Sequence, residues 1–370
     1  MTLKPSINRA FYALTRCLDG PLMIAFAVLV AISLIVVFSA SGALTFDRAL
    51  GQARNFGVAL IMMWIIANIP PQTLMRFAIP VYIVGLGLLI SVALFGEVRN
   101  GARRWLNLGF ATGQPSEIMK IGVPLLLAWY FHRKEGALNI KDYAIAGLIL
   151  IVPTFFVLRQ PDLGTAILIF SAGFFVIFFA GLSWKILVTG GVLGLASLPL
   201  AWEFMHEYQR DRIRTLLDPT SDPLGAGYHI IQAMIAIGSG GVLGKGWQNG
   251  SQAQLDFIPE RSTDFILAVF GEEFGLIGVL LLFTLYLIII GRGLMIAINA
   301  PTTFSRLLAG AITLSFFTYA FVNIGMVVGI LPVVGVPLPL MSYGGTAILS
   351  VCVSFGMLMS ISTHKQLVST

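Results

Sequence analysis

Ten apolar runs, each about as long as a bilayer is thick, constrain this chain more than anything else in it. A membrane-spanning helix needs about 20 apolar residues. Runs of that order occupy roughly 21–41, 53–70, 76–96, 116–132, 142–158, 163–181, 184–202, 264–291, 304–330 and 342–362. Inside a bilayer no water is available to bond an exposed peptide group, so such runs must be helices. Only 11% of the residues are charged and 57% are hydrophobic, with mean hydropathy +0.89. Soluble domains carry about a quarter charged residues. The expectation is an all-α integral membrane protein with ten transmembrane helices, forming one polytopic domain over 1–370. A long extracytoplasmic loop, 203–263, separates helices seven and eight.

The basic residues orient the bundle. With the N-terminus inside, Lys4, Arg9, Arg16, Arg76, Arg133, Lys134, Lys141, Lys185, Arg292, Arg306 and Lys365 fall on the cytoplasmic side. Short outer loops hold Arg48, Arg54, Arg99, Arg103, Arg104 and Arg159. An even number of spans then places both termini in the cytoplasm. Ahead of the first span, Ile7, Phe11, Leu14 and Leu18 repeat at helical spacing, so 1–20 reads as an amphipathic segment on the inner surface. The first apolar run is long enough to span, so no cleavable signal is expected, although Ser39-Ala-Ser41 faintly resembles a cleavage site. Cys17 and Cys352 are too far apart in the chain to suggest a disulfide framework.

Polar residues then stand out against this background. An ionisable side chain at membrane depth is costly and marks a cavity, a partner or a function. Asp264 lies where the eighth run begins, and Glu272 and Glu273 follow within it. Asp264 has two readings, a helix N-cap or a catalytic carboxylate. Glu117 and Lys120 are three apart on the fourth helix and share a face. They are either an internal ion pair or part of a substrate site. Arg103 and Arg104 precede them and could clamp a phosphate or pyrophosphate bidentately. Asp162 suits a cap for the sixth helix. The run Arg210-Asp-Arg-Ile-Arg214 reads as a solvated face. The stretch 227–241 is too short to span and reads as a re-entrant or interfacial helix ended by glycine. His229 reads as a packing histidine. Pro332, Pro337 and Pro339 make 331–345 irregular, and such backbone is tolerated only against protein or a water-filled cavity. No zinc-ligand spacing, phosphate-binding glycine loop, nucleophile elbow or dinucleotide fingerprint occurs, which argues against ATP-driven or redox chemistry. Nothing points to nucleic acid.

The motifs Gln114-Pro-Ser-Glu-Ile-Met-Lys120, Gln160-Pro-Asp-Leu-Gly164, Asp222-Pro-Leu-Gly-Ala-Gly-Tyr-His229, Glu260-Arg-Ser-Thr-Asp-Phe-Ile266, Gly329-Ile-Leu-Pro-Val-Val-Gly-Val-Pro-Leu-Pro-Leu340 and Ser342-Tyr-Gly-Gly345 together resemble the SEDS family (shape, elongation, division and sporulation). The wording Gly335-Val-Pro-Leu-Pro339 resembles its elongation branch. The resemblance implies ten membrane helices and a peptidoglycan glycosyltransferase in the bacterial cytoplasmic (inner) membrane. Its substrate would be lipid II, a disaccharide-pentapeptide on undecaprenyl pyrophosphate. The implied partners are a class B penicillin-binding protein and other membrane proteins of the elongation machinery. Asp264 matches the family's essential aspartate and is the candidate catalytic base. The candidate substrate-binding residues are Glu117, Lys120, Arg103, Arg104, Asp162, Arg210, Lys245, Arg261 and Ser342. A divalent cation, Mg or Mn, could help bridge the pyrophosphate, but the sequence fixes no site for it. A lipid II flippase and a non-catalytic scaffold are the alternative functions.

Overall fold

The computed structural model describes residues 17–42, 46–99, 102–107, 112–134, 138–205, 207–222 and 225–364. Ile7, Phe11 and Leu14, the core of the expected amphipathic segment, lie outside the described residues. Every apolar run coincides with helix. Among the described residues seven helices are long and apolar enough to cross a membrane: α1 (Gly20–Ala40), α2 (Asp47–Ala67), α4 (Ala78–Phe95), α6 (Ile140–Arg159), α13 (Ile266–Ile298), α14 (Thr303–Val327) and α15 (Gly345–Thr363). A short α3 (Pro71–Arg76) precedes α4. Helix α5 (Pro115–Arg133) carries Glu117 and Lys120 in its first two turns. Helices α7 (Leu163–Phe179) and α8 (Trp184–Ala196) are apolar but shorter.

The core forms where α2 lies along α15, and where α14 packs on α7, α13 and α5. Glycines let these backbones approach, as small residues do in membrane bundles. A Cβ on Gly173 of α7 would press on Leu150, Val123 and Leu127 of α6 and α5. At one end, Asp19 caps α1 by accepting from the Leu22 amide at 3.2 Å. Its carboxylate also takes Arg292 Nε and Nη2 at 3.0 and 2.7 Å, and Ser362 Oγ at 2.9 Å. One buried acid therefore joins α1, α13 and α15.

Helix α8 differs from the rest. None of its residues is buried. Trp184, Leu193 and Leu195 are largely exposed. Its run breaks at Ser197 into a second short helix, α9 (Leu198–Phe204).

The long loop holds α10 (Glu207–Leu217), a 3-10 turn at Pro219–Ser221, α11 (Ala226–Gly240) and the single-turn α12 (Ser251–Gln254). The short stretch read from the sequence as a glycine-ended helix is helix α11, and it ends at Gly241, whose φ is +58°. It packs on α13. His229 rests on the Phe265 ring, with centroids 5.6 Å apart.

Two features were not read from the sequence: a small sheet, which corrects the all-α expectation, and a break within a helix. The loop before α5 forms a small antiparallel sheet of β1 (Glu97–Arg99), β2 (Ala102–Asn107) and β3 (Thr112–Gly113), in that order, with Val98 opposite Arg103. Strands of two to six residues are too short to leave a readable alternation. The second is a break in α13 at Gly275, at φ +64° and ψ −165°. Loop 241–246 repairs it. Leu276 and Ile277 amides donate to the Gly241 and Val242 carbonyls at 3.0 and 3.2 Å, and Lys245 and Gly246 amides donate to Glu272 and Glu273 carbonyls, both at 3.0 Å. That region of backbone space is nearly glycine-only, and a Cβ here would collide with the Gly244 nitrogen. Gly275→Ala should therefore cost at least about 1–3 kcal/mol. Thermal unfolding of the purified protein in detergent checks this, and a wild-type melting temperature would show that the break can relax.

Candidate active site

Asp264 sits in the turn that leads into α13, not on the helix. The turn closes through Thr263 and Phe265 amides donating to the Glu260 carbonyl at 3.0 and 3.3 Å. The N-cap of α13 is Phe265, with no side-chain capping bond. The capping reading of Asp264 therefore fails. Three clamps hold the turn instead. Asn323 of α14, fully buried, donates its side-chain amide to the Asp264 carbonyl at 2.8 Å and to the Val336 carbonyl at 2.7 Å. Ser342 Oγ donates to the Thr263 carbonyl at 2.5 Å and accepts from the Leu338 amide at 2.7 Å. The Tyr343 amide donates to the Ser262 carbonyl at 2.8 Å.

The Asp264 turn and the irregular 331–344 segment are thus stitched into one unit. Gly335, at φ +72°, brings bare backbone against the carboxylate: a Cβ there would lie 3.5 Å from Asp264 Oδ2. Among the described residues the Asp264 carboxylate has no hydrogen-bond or ion-pair partner. Burial pushes it up to about 6, Glu260 adds to that rise, and the positive charge of Arg212 opposes it. Arg212 was not singled out by sequence, because a dense charge run usually marks a solvated face.

The second cluster lies one turn along α14. Lys120 Nζ is 2.7 Å from Glu117 Oε1 and 2.7 Å from the Tyr319 hydroxyl. Glu117 also accepts from Ser350 Oγ of α15 at 2.6 Å. Tyr319 and Asn323 are four apart on one helix face, so the Lys120 cluster and the Asp264 turn are separated by about 5–6 Å along α14. Tyr319, Asn323 and Ser350 were missed in the sequence, where they look like ordinary helix residues. A cavity of about 290 Å³ opens beside Glu117, walled by Leu88, Leu106, Ile118 and Leu349 with Gln114 at its edge. Its walls come from α4, β2, α5 and α15, and they are almost wholly apolar.

The remaining candidates are held by the protein itself. Asp162 caps α7 by accepting from the Thr165 amide at 3.1 Å, as its position suggested. It also accepts from Gln114 Nε2 at 3.0 Å, and Arg104 stands 3.8 Å away. Arg104 donates to the Gln160 and Pro161 carbonyls at 3.3 and 2.5 Å. Arg103 lies on β2, but its side chain is outside the described residues. Arg210 ties down the Trp202 and Glu203 carbonyls, both at 2.9 Å. Arg261 bonds the Ala40 carbonyl at 2.6 Å and also engages Ala253 and Asp256. Lys245 pairs with buried Glu272 at 2.7 Å, while Glu273 accepts from Ser39 Oγ and from the Gln248 amide. Among the described residues no three His, Cys, Asp or Glu side chains converge as metal ligands.

Removing Lys120 would leave Glu117, only 12% exposed, with Ser350 as its remaining donor. Breaking a buried pair from one side costs about 3–5 kcal/mol. Lys120→Ala should lower the melting temperature accordingly. An unchanged value would show that the pair adds nothing to stability and leave Lys120 free for a substrate.

A family model described as a cell cycle protein, FtsW/RodA/SpoVE, matches residues 21–367. The peptidoglycan glycosyltransferase MrdB of Escherichia coli (strain K12) is 50% identical over 355 residues, covering 95% of both chains. Among solved structures, a chain of a peptidoglycan synthase complex that coordinates polymerization and crosslinking superposes with TM-score 0.81 at 30% identity, covering 93% of this chain and 97% of that one. The rod shape determining protein RodA of Thermus thermophilus superposes with TM-score 0.71 at 27% identity, covering 93% and 96%. This chain belongs to the FtsW/RodA/SpoVE family of cell cycle proteins, the SEDS family that its motifs resemble.

Proposed function

We propose that this protein is a peptidoglycan glycosyltransferase of the elongation machinery, with Asp264 as its general base and lipid II as its substrate. One observation carries the assignment of Asp264. It is a clamped, partly buried carboxylate in a stretch where the neighbouring acids Glu272 and Glu273 have partners, and its own oxygens have none among the described residues. A structural carboxylate would be paired. A base has to keep a lone pair free for the proton that it takes.

In the reaction the acceptor sugar hydroxyl attacks the anomeric carbon of the donor. The new C–O bond forms as the bond to the pyrophosphate breaks. The hydroxyl proton passes to Asp264, and the lipid pyrophosphate leaves with its electrons. One base and no enzyme nucleophile imply a single displacement with inversion. The leaving group gathers negative charge, which preorganised cations stabilise. Lys120 and Arg212 are the cations that the fold sets around this region, with Arg104 at its rim. The apolar cavity beside Glu117 suits the hydrocarbon of a lipid-linked substrate.

All ten apolar runs span in this reading, with α8 and α9 together forming the seventh. Both termini lie in the cytoplasm and Asp264 opens to the outer face of the cytoplasmic membrane. A class B penicillin-binding protein is the proposed partner, in line with the peptidoglycan synthase complex to which the fold is similar. Reporters fused at residue 185 should read cytoplasmic and at residue 250 outside. A cytoplasmic reading at 250 would put the site on the wrong face.

Asp264→Asn removes the base and keeps the volume. Glycan formation from labelled lipid II, measured with the partner present, should fall at least ~10²-fold. Full activity would overturn the assignment, and lipid movement across vesicles without polymerisation would make the protein a flippase. The stability sign is opposite. A carboxyl whose folded value is raised to about 6 destabilises the fold above that pH. Asp264→Asn should therefore melt at or above wild type at pH 7, by up to about 3 kcal/mol, with the gap closing below pH 4. Wild-type turnover should decline as pH falls through about 6, because the base is then protonated. A flat profile from pH 5 to 8 would sink the base role.

A further inference from the structure

The end of the bundle opposite Asp264 holds a second, separate cavity. It measures about 220 Å³, room for about seven waters at ~30 Å³ each. Four elements meet around it. Gln72 comes from α3, His132 from the last turn of α5, Thr302 and Ser305 from the start of α14, and His364 from the end of α15. Phe304 forms an apolar wall. No part of the catalytic proposal uses any of these residues.

The chemistry of the lining is one-sided. Its polar groups are imidazoles, hydroxyls and an amide, with no carboxylate among the lining residues. Thr302 Oγ1 accepts from the Ser305 amide at 3.2 Å and donates to Ser305 Oγ at 2.9 Å, so both hydroxyls are held in place at the positive end of a 25-residue helix. His364 keeps its ring fixed with Nδ1 3.1 Å from the Ser360 carbonyl oxygen. Both imidazoles sit at helix C-terminal ends. Exposed Arg76, Arg133 and Arg306 follow directly after the lining residues Met75, His132 and Ser305. The acids described at this end of the bundle are already matched: Asp142 pairs with Lys134 at 2.8 Å, and Asp19 pairs with Arg292. A cavity between membrane helices that is lined by hydroxyl, amide and imidazole groups and by no acid can take an anionic lipid headgroup.

We propose that this cavity binds a phosphate group, in the form presented by an anionic phospholipid, through His132, His364, Thr302 and Ser305. Its placement in the inner leaflet rests on the orientation proposed above; the binding itself does not.

The test uses the full-length protein, purified in neutral detergent and stripped of lipid. Melting temperature and native mass spectrometry are followed as short-chain phosphatidylglycerol, short-chain phosphatidylcholine or inorganic phosphate is added. Wild type should be stabilised by phosphatidylglycerol and should hold at least one molecule of it. His132→Gln/His364→Gln should bind it at least tenfold more weakly, whereas Lys141→Gln, a basic change away from the cavity, should match wild type. If inorganic phosphate reproduces the effect at similar concentration, the site serves a soluble phosphate rather than a lipid. The proposal fails if phosphatidylcholine acts as well as phosphatidylglycerol, if nothing binds, or if the double variant binds as wild type does. Should the double variant not fold, each single glutamine variant is measured instead; each should bind at least threefold more weakly than wild type, and wild-type binding by both would overturn the proposal.

Discussion

Unpaired peptide groups are intolerable at membrane depth, and two side-chain amides resolve that problem around Asp264. Asn323 donates to the carbonyls of both Asp264 and Val336. Gln52, also fully buried, donates to the Ser342 carbonyl at 3.0 Å and to Ser33 Oγ at 3.2 Å, and accepts from the Gly344 amide. Ser33 in turn donates to the Met341 carbonyl at 2.9 Å. These bonds let a fourteen-residue stretch without helix or strand, 331–344, lie inside a helical bundle. They also fix the carboxylate of Asp264 against backbone rather than against a neutralising side chain. The turn is thus held through its carbonyls, while the Asp264 carboxylate has no hydrogen-bond partner among the described residues.

The cations illustrate how charge and availability differ. In the sequence, Arg103, Arg104, Lys120, Arg210, Lys245 and Arg261 are all candidates for the substrate. In the fold, Arg210 and Arg261 hold carbonyls that terminate helices or loops, and Lys245 neutralises Glu272. Such residues hold the local backbone in place. Lys120 and Arg212 remain close to the two centres that matter, although each is already embedded in local contacts.

Much of this was legible in the sequence. Each apolar run proved to be helix because length and hydropathy leave no alternative in a bilayer. The glycine-ended helix at 226–240, the cap at Asp162 and the proline-broken 331–344 stretch follow from local backbone chemistry, which acts over a few residues. Contacts between distant segments were not legible. Nothing in the local sequence says that Tyr319 meets Lys120 or that Asn323 reaches Asp264, since polar residues on an apolar helix can face any neighbour. The small sheet at 97–113 was hidden by its brevity. The cap reading of Asp264 fails by a single residue of register: the N-cap of the helix is Phe265, one position past the aspartate.

Helix α8 has no buried residue and stands at the edge of the described bundle. A lipid-borne substrate arriving there never passes through water. On the proposed function it travels in two dimensions, held at a fixed depth in the membrane. Its effective concentration is then a number of molecules per unit of membrane area, not per volume. Saturation of such an enzyme follows the mole fraction of substrate among lipids, and dilution of the vesicles leaves its rate per protein untouched.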